Sequence, residues 1–145
     1  MSASQKRRPT AAQRRSGYVG AILVNAVFLY ALNRRPGWDA VPFLTPDTER
    51  VIGIVNASII TGIVANGIYV LADPPRLRAL GEIVTSAVGL AAVVRIWRIF
   101  PFDFSGGFPW DVVARVLLVL GIVGCGIGIL AALVRLVRPP RPRQE

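Results

Sequence analysis

The charged residues closest to the apolar segments of this chain have the greatest capacity for chemistry. Arg95 and Arg98 lie at one end of an apolar segment, Arg115 lies at the start of the next, and Asp103 and Asp111 lie between them. An ionisable side chain within a bilayer is costly unless it is paired or close to water. We therefore expect these five residues to gather at one membrane surface, where they would contact a small anion or an anionic lipid headgroup.

A structural explanation of the same charges remains open. Long Arg side chains near the end of a span can extend to the interface, and they can pair with nearby aspartates. The spacing of Asp111 and Arg115 predicts an i, i+4 ion pair. Glu82 is expected to pair in the same way with Arg78, one turn away, rather than to couple protons.

Small and polar residues recur at helical spacing along each apolar segment. In lipid, helices associate through close backbone approach and interhelical hydrogen bonds. Asn25 is expected to meet the region of Ser58 and Thr61 on the following helix, because an unpaired amide in hydrocarbon is costly. A polar pore or substrate path remains the alternative. The predicted interhelical packing residues are Asn25, Ser58, Gly62, Asn66, Gly121, Gly124 and Gly128.

The chain lacks the residue patterns of common catalytic and metal sites. It has no histidine and a single cysteine, Cys125. The catalytic glycine-serine elbow, the histidine zinc motif, the phosphate-binding glycine loop and the paired-cysteine motif are all missing. We therefore expect no enzyme activity, no bound metal and no cofactor.

Composition indicates a membrane protein. Hydrophobic residues make up 53% of the 145 residues, the formal net charge is +9, and the mean hydropathy is +0.53. The charges flank apolar segments instead of forming a basic face with stacking aromatics, so we expect no nucleic-acid partner. Anionic lipids at the cytoplasmic face are the expected partner of the excess positive charge.

Hydropathy predicts an all-α integral membrane bundle of four transmembrane helices. A spanning helix needs about 20 mostly apolar residues. The predicted spans cover about 16–33, 51–72, 79–100 and 111–137 within a transmembrane domain of 16–137. Residues 1–15 are predicted to be a basic tail, and residues 138–145 a basic, proline-rich tail.

The distribution of positive charge predicts that both termini are cytoplasmic. Cytoplasmic loops carry an excess of Lys and Arg. A cleavable signal peptide is the rival interpretation of the first span, although no A-x-A site follows it. Eleven of the 17 basic residues fall on the side of the termini: Lys6, Arg7, Arg8, Arg14, Arg15, Arg76, Arg78, Arg135, Arg138, Arg141 and Arg143.

Three segments carry a resemblance. They are the stretch from Asn33 to Trp38, the turn Asp73-Pro74-Pro75, and the stretch from Phe100 to Phe104. Together with the basic N-terminal tail, they resemble uncharacterised four-helix membrane proteins of actinobacteria. The resemblance implies the four-span topology and implies no functional residues.

These patterns favour a non-enzymatic multi-pass protein of the bacterial plasma membrane. Many packing residues and little chemistry are typical of an accessory or scaffolding subunit, which would form a homo-oligomer or join a larger membrane complex. A small oligomeric transporter or channel is the alternative, with the Arg cluster binding an anion or lipid headgroup. An enzyme and a lipid or stress sensor remain further possibilities.

Overall fold

The protein is all-α, with four long helices. The computed structural model describes residues 7–139. The helices are α1 (Ala11–Asn33), α2 (Glu49–Leu71), α3 (Pro75–Ile99) and α4 (Trp110–Val137). The predicted fold class is confirmed, since residues 7–139 contain no β-strand beyond one isolated bridge.

Helix α1 begins earlier than the predicted span because its first turn is capped. The Thr10 hydroxyl accepts a hydrogen bond from the Gln13 backbone N–H at 3.2 Å, and the Gln13 side chain accepts one from the Thr10 N–H at 2.8 Å. This capping box satisfies two backbone donors at the helix terminus. Arg14 and Arg15, predicted to lie in the basic tail, are therefore helical.

Prolines set the beginnings of the other helices. A short 3₁₀ turn, Pro46–Thr48, leads into α2. Helix α3 begins at Pro75, four residues ahead of the predicted span, because proline is already fixed in a backbone angle that suits the first helical position. The C-terminal tail predicted at 138–145 falls mainly outside the described residues, as does Lys6.

The helices are long enough to cross a membrane. They contain 23, 23, 25 and 28 residues, which at 1.5 Å per residue gives lengths of about 35–42 Å. A hydrocarbon core is about 30 Å thick. All four are also apolar enough for membrane spans, so the chain has the architecture of a multi-pass membrane protein.

Helix packing follows the order of the chain. Helix α1 packs on α2, α2 on α3, and α3 on α4. Within residues 7–139, α1 and α4 therefore have one extensively packed helical neighbour each. Their remaining faces are apolar and exposed, as shown by Val27 at 67% and Leu130 at 65% exposure.

Small residues mark the places where neighbouring helices approach closely. A Cβ added to Gly62 would lie 3.3 Å from the side-chain nitrogen of Asn25, and one added to Gly128 would lie 3.1 Å from the Ser86 hydroxyl. One added to Gly121 would lie 3.5 Å from Val93. By contrast, a Cβ on Gly124 would meet nothing within 4 Å. Gly62, Gly121 and Gly128 thus lie in interfaces of the single chain, whereas Gly124 does not.

The polar residues of α2 bond mainly to their own helix. Ser58 donates to the Val55 carbonyl at 2.9 Å, and Asn66 donates to the Gly62 carbonyl at 2.7 Å. Asn25 lies against Gly62, one turn from Ser58, and makes no hydrogen bond with Ser58 or Thr61. Asn25 therefore meets α2 beside Thr61, in the expected region, by packing its amide on Gly62 and without a hydrogen bond to either hydroxyl.

Asn33 and Asn56 form an interhelical amide pair. Each side-chain N–H₂ donates to the other's carbonyl oxygen, at 2.8 and 2.7 Å. Asn33 also donates to the Leu29 carbonyl at 2.8 Å. This reciprocal pair of hydrogen bonds joins the end of α1 to α2, and such bonds between helices support association in membranes.

Candidate ligand site at the two-loop end

The two longer loops of the chain pair with each other at one end of the helices. The α1–α2 loop covers 34–48 and the α3–α4 loop covers 100–109; we call this the two-loop end, and the opposite end the tail end. The Thr45 N–H donates to the Pro101 carbonyl at 3.0 Å, and the Asp103 N–H donates to the Phe43 carbonyl at 2.9 Å. These bonds hold the two loops together as a short antiparallel bridge.

A sharp backbone turn at Phe100 starts the α3–α4 loop. Phe100 is the only non-glycine residue of 7–139 with positive φ, at 46°. A left-handed conformation costs an L-residue roughly 1–2 kcal/mol. The turn is retained beside Pro101, whose side chain is fully buried, so surrounding contacts must offset the strain.

Aromatic rings from both loops stack on one another. The ring centres of Phe43 and Phe104 lie 5.4 Å apart, with 28° between the ring planes. Those of Phe102 and Phe104 lie 5.8 Å apart, with 14° between the planes. Phe100 meets Phe102 edge-on at 5.3 Å. Such pairs contribute about 0.5–1.5 kcal/mol each beyond burial, so this aromatic cluster fixes the loops in place.

An apolar cavity of about 660 Å³ opens beside the aromatic cluster. Small-molecule sites typically measure about 300–1,000 Å³ and are mainly apolar with a few polar groups. The cavity lies between the loops, α3 and the first turns of α4. Its lining residues are Pro42, Phe43, Val93, Phe102, Asp103, Phe104, Ser105, Trp110, Val113, Ala114, Leu117 and Leu118.

Two polar side chains line this cavity, both from the α3–α4 loop. Asp103 and Ser105 are exposed, so they lie on its open side. Asp103 forms no ion pair within residues 7–139. The cavity therefore combines an apolar interior with a carboxylate and a hydroxyl at its opening.

Two of the five charged residues predicted to cluster, Arg95 and Arg115, contact other partners. Arg95 donates through Nε to the Arg50 carbonyl at 2.7 Å. The Arg115 guanidinium lies 4.2 Å from the Phe100 ring centre and 5.2 Å from that of Trp97. A cation over an aromatic face is favourable, and this contact replaces the expected pair with Asp111, so that prediction is wrong.

The other predicted pairs at this end are also not formed. Within the described part of the chain, no hydrogen bond or ion pair joins Asp103 to Arg95 or Arg98, and Arg98 and Asp111 are both exposed. An ion pair forms at this end between the Asp47 carboxylate and the Arg50 guanidinium, at 3.7 Å. The ion pairs expected among these five residues are therefore not formed within residues 7–139.

Ion pairs between helices hold the tail end together. Asp73, in the turn between α2 and α3, accepts from Arg14 Nε at 2.7 Å and from the Tyr18 hydroxyl at 3.5 Å. The bond from Arg14 is the main cause that lowers the pKa of the Asp73 carboxyl below its usual value. This contact ties the first turns of α1 to the α2–α3 turn.

Tyr69 is buried against a glycine beside this ion pair. Its ring lies 5.3 Å from that of Tyr18, and its hydroxyl donates to the Arg78 carbonyl at 3.3 Å. A Cβ at Gly81 would overlap the Tyr69 hydroxyl. Gly81 is therefore required for Tyr69 to lie between α2 and α3.

Glu82 pairs with α4 and not with its own helix. Arg135 donates to both carboxylate oxygens of Glu82, with one of the two distances at 3.2 Å. A bidentate guanidinium–carboxylate pair has strong directional preference. The predicted i, i+4 partner, Arg78, is wrong, because the guanidinium that reaches Glu82 comes from the last turns of the neighbouring helix.

Sequence reasoning missed the cavity because its lining comes from three separated segments. Phe100, Phe102 and Phe104 alternate along the chain, which is the pattern of an extended segment with rings on one side. That signal predicts a short aromatic strand, although not its partner Phe43. Comparison of the chain with protein-family models, with curated proteins and with solved structures found no match in any of the three.

Proposed function

We propose that this protein is a non-enzymatic accessory or scaffolding subunit of a larger assembly in the bacterial plasma membrane. One observation carries the proposal: within residues 7–139, packing in chain order leaves α1 and α4 with one extensively packed helical neighbour each. Both helices offer their remaining faces to lipid or to another protein.

Open glycines on these two helices favour a protein neighbour over lipid alone. A Cβ at Gly17, Gly20 or Gly124 would meet nothing within 4 Å. Glycine in a helix interior costs about 1 kcal/mol relative to alanine. Glycines that serve no contact within the chain are explained if another helix approaches there, as small residues allow in membranes.

An oligomeric, anion-selective transporter has less support. That alternative needs Arg95, Arg98 and Arg115 to act at one site. Arg95 instead binds a backbone carbonyl, and Arg115 lies over two rings. Arg95 and Arg115 are thus used in contacts that stabilise the two-loop end.

The tail end is proposed to face the cytoplasm and anionic lipids. Arg7, Arg8, Arg15, Arg76 and Arg138 lie there without an ion pair within residues 7–139. Each Arg near an anionic surface contributes about 1 kcal/mol of attraction. Reporter fusions at both termini would give cytoplasmic signals if this orientation is correct, and a periplasmic signal at either would contradict it.

Affinity purification from the native membrane in mild detergent tests the accessory role. We expect a partner, either a second membrane protein or further copies of this chain, at fixed stoichiometry by native-gel sizing and mass spectrometry. Gly124→Leu should release that partner without lowering the melting temperature of the isolated chain. Val119→Leu, which adds one methylene to an exposed residue of the same helix, is the matched control. A monomer without a partner, or anion flux from the chain reconstituted alone, would contradict the proposal.

A further inference from the structure

The cavity at the two-loop end is apolar and follows the first turns of α4. Its α4 lining extends from Trp110 to Leu118, and the rise between these two residues is about 12 Å along the helix axis. It therefore runs from the loops along the beginning of α4, a helix long and apolar enough to span a membrane. Phe43 and Phe104 form a stacked wall at its outer part.

The opening of the cavity is acidic. Asp103 and Ser105 belong to the loop beyond α3, on the aqueous side of the apolar lining. The backbone of Asp103 is fixed by its hydrogen bond to the Phe43 carbonyl at 2.9 Å. Its carboxylate has no ion-pair partner within residues 7–139, so a cationic group would complement it.

The arginines of the two-loop end do not neutralise the Asp103 carboxylate. Arg115 lies over Phe100 and Trp97, and Arg95 bonds to the Arg50 backbone. None of Arg95, Arg98 and Arg115 forms an ion pair with Asp103. A ligand that fits must therefore bring its own positive charge together with an aliphatic chain.

We infer that the cavity binds a bilayer aminophospholipid, with one acyl chain among the aromatic rings and its ammonium group at the Asp103 carboxylate. The bilayer supplies this ligand at high local concentration, and a cavity that runs along the helices matches the direction of its chains. Ser105 adds a hydroxyl acceptor for the ammonium hydrogens. This binding is independent of the proposed accessory role.

Quenching of Trp110 fluorescence by brominated acyl chains tests the inference. Trp110 lines the cavity, and Trp38→Phe with Trp97→Phe leaves it as the single reporter. The probes are vesicles with brominated phosphatidylethanolamine or with brominated phosphatidylglycerol of the same chains, in a phosphatidylcholine background. We expect about two- to fivefold stronger apparent binding of the amine lipid, the range for an exposed ion pair.

Two substitutions distinguish the contribution of the lipid headgroup to binding from that of the acyl chain. Asp103→Asn should abolish the preference for the amine lipid, and Asp111→Asn, an acid at the same end that does not line the cavity, should keep it. Ala114→Phe should fill the cavity and reduce quenching by both lipids. Equal quenching by both lipids in the unmodified cavity, a preference for phosphatidylglycerol, or a preference that survives Asp103→Asn would each overturn the inference.

Discussion

The two ends of this helical protein are held together by different interactions. At the tail end, guanidinium groups meet carboxylates across helices, as Arg14 meets Asp73 and Arg135 meets Glu82. At the two-loop end, rings stack, loops exchange backbone hydrogen bonds, and Arg115 lies over aromatic faces. Both ends contain acids and arginines, so charge content alone does not decide which interaction forms.

Loop length accounts for much of the difference. Three residues, 72–74, connect α2 to α3, and so short a turn places Asp73 within reach of Arg14 on α1. The loops of the opposite end are long enough to fold back and pair with each other. Once paired, they direct the Phe side chains towards one another and leave the aspartates facing water.

The largest effect is expected from a substitution that disrupts the packing of the tail end. Gly81→Leu should lower the free energy of unfolding by about 1–3 kcal/mol, the usual cost of overpacking, because its side chain would overlap Tyr69. The melting temperature in detergent measures this loss of stability. Gly67→Leu, where a Cβ meets nothing within 4 Å, is the matched control, and equal losses in the two variants would contradict the packing reason.

A second prediction concerns the pair of Glu82 and Arg135. A double-mutant cycle with Glu82→Gln and Arg135→Gln should give a coupling of about 0.5–1 kcal/mol, because both side chains are about half exposed. Denaturation in detergent provides the four free energies. The same cycle with Arg78→Gln in place of Arg135→Gln should give a coupling near zero, and a larger value there would restore the i, i+4 pair.

A third prediction is an acid-dependent weakening of the tail end. The pKa of Asp73 is lowered by Arg14, so the contact contributes stability above the ordinary carboxyl pKa and loses it as the pH falls through the lower, folded value. The effect on global unfolding should be smaller than the first two, because the first turn of α1 can open locally.

Melting temperatures across this acid range measure that effect. The loss on acidification should be smaller in Asp73→Asn than in the parent protein. Asp39→Asn, in the α1–α2 loop and without an ion pair within residues 7–139, should keep the parent's pH dependence. If melting temperature depended on pH in the same way in the parent protein and in Asp73→Asn, the Arg14 contact would not be the cause of the acid-dependent weakening.

A fourth prediction sharpens the description of the two-loop end. Arg115→Ala combined with Phe100→Leu should show a coupling of about 0.5–1 kcal/mol, typical of an exposed cation–π contact. Arg115→Ala combined with Asp111→Asn should show none. If the aspartate cycle gave the larger coupling, an ion pair would be the dominant contact of Arg115.

The long apolar segments were sufficient to predict four helices, because a span must satisfy its own backbone hydrogen bonds. Their ends were predicted less well: the Thr10 and Gln13 capping box lengthened α1, and Pro75 moved the start of α3 forward. The contact of Asn25 with α2 was predicted at the right depth, although its neighbour is Gly62. The charged cluster was not predictable, because spacing along one helix gives no information about a competing partner from another.

The sequence by itself determined the number of helices, their apolar character and the absence of familiar catalytic motifs, because these depend on residue types over short stretches. Only the tertiary structure decided that Arg135 pairs with Glu82, that Arg115 lies over Phe100, and that three distant segments enclose a cavity. Side-chain pairing depends on which helices and loops come within a few ångströms of each other. That proximity is set by the packing of the whole chain.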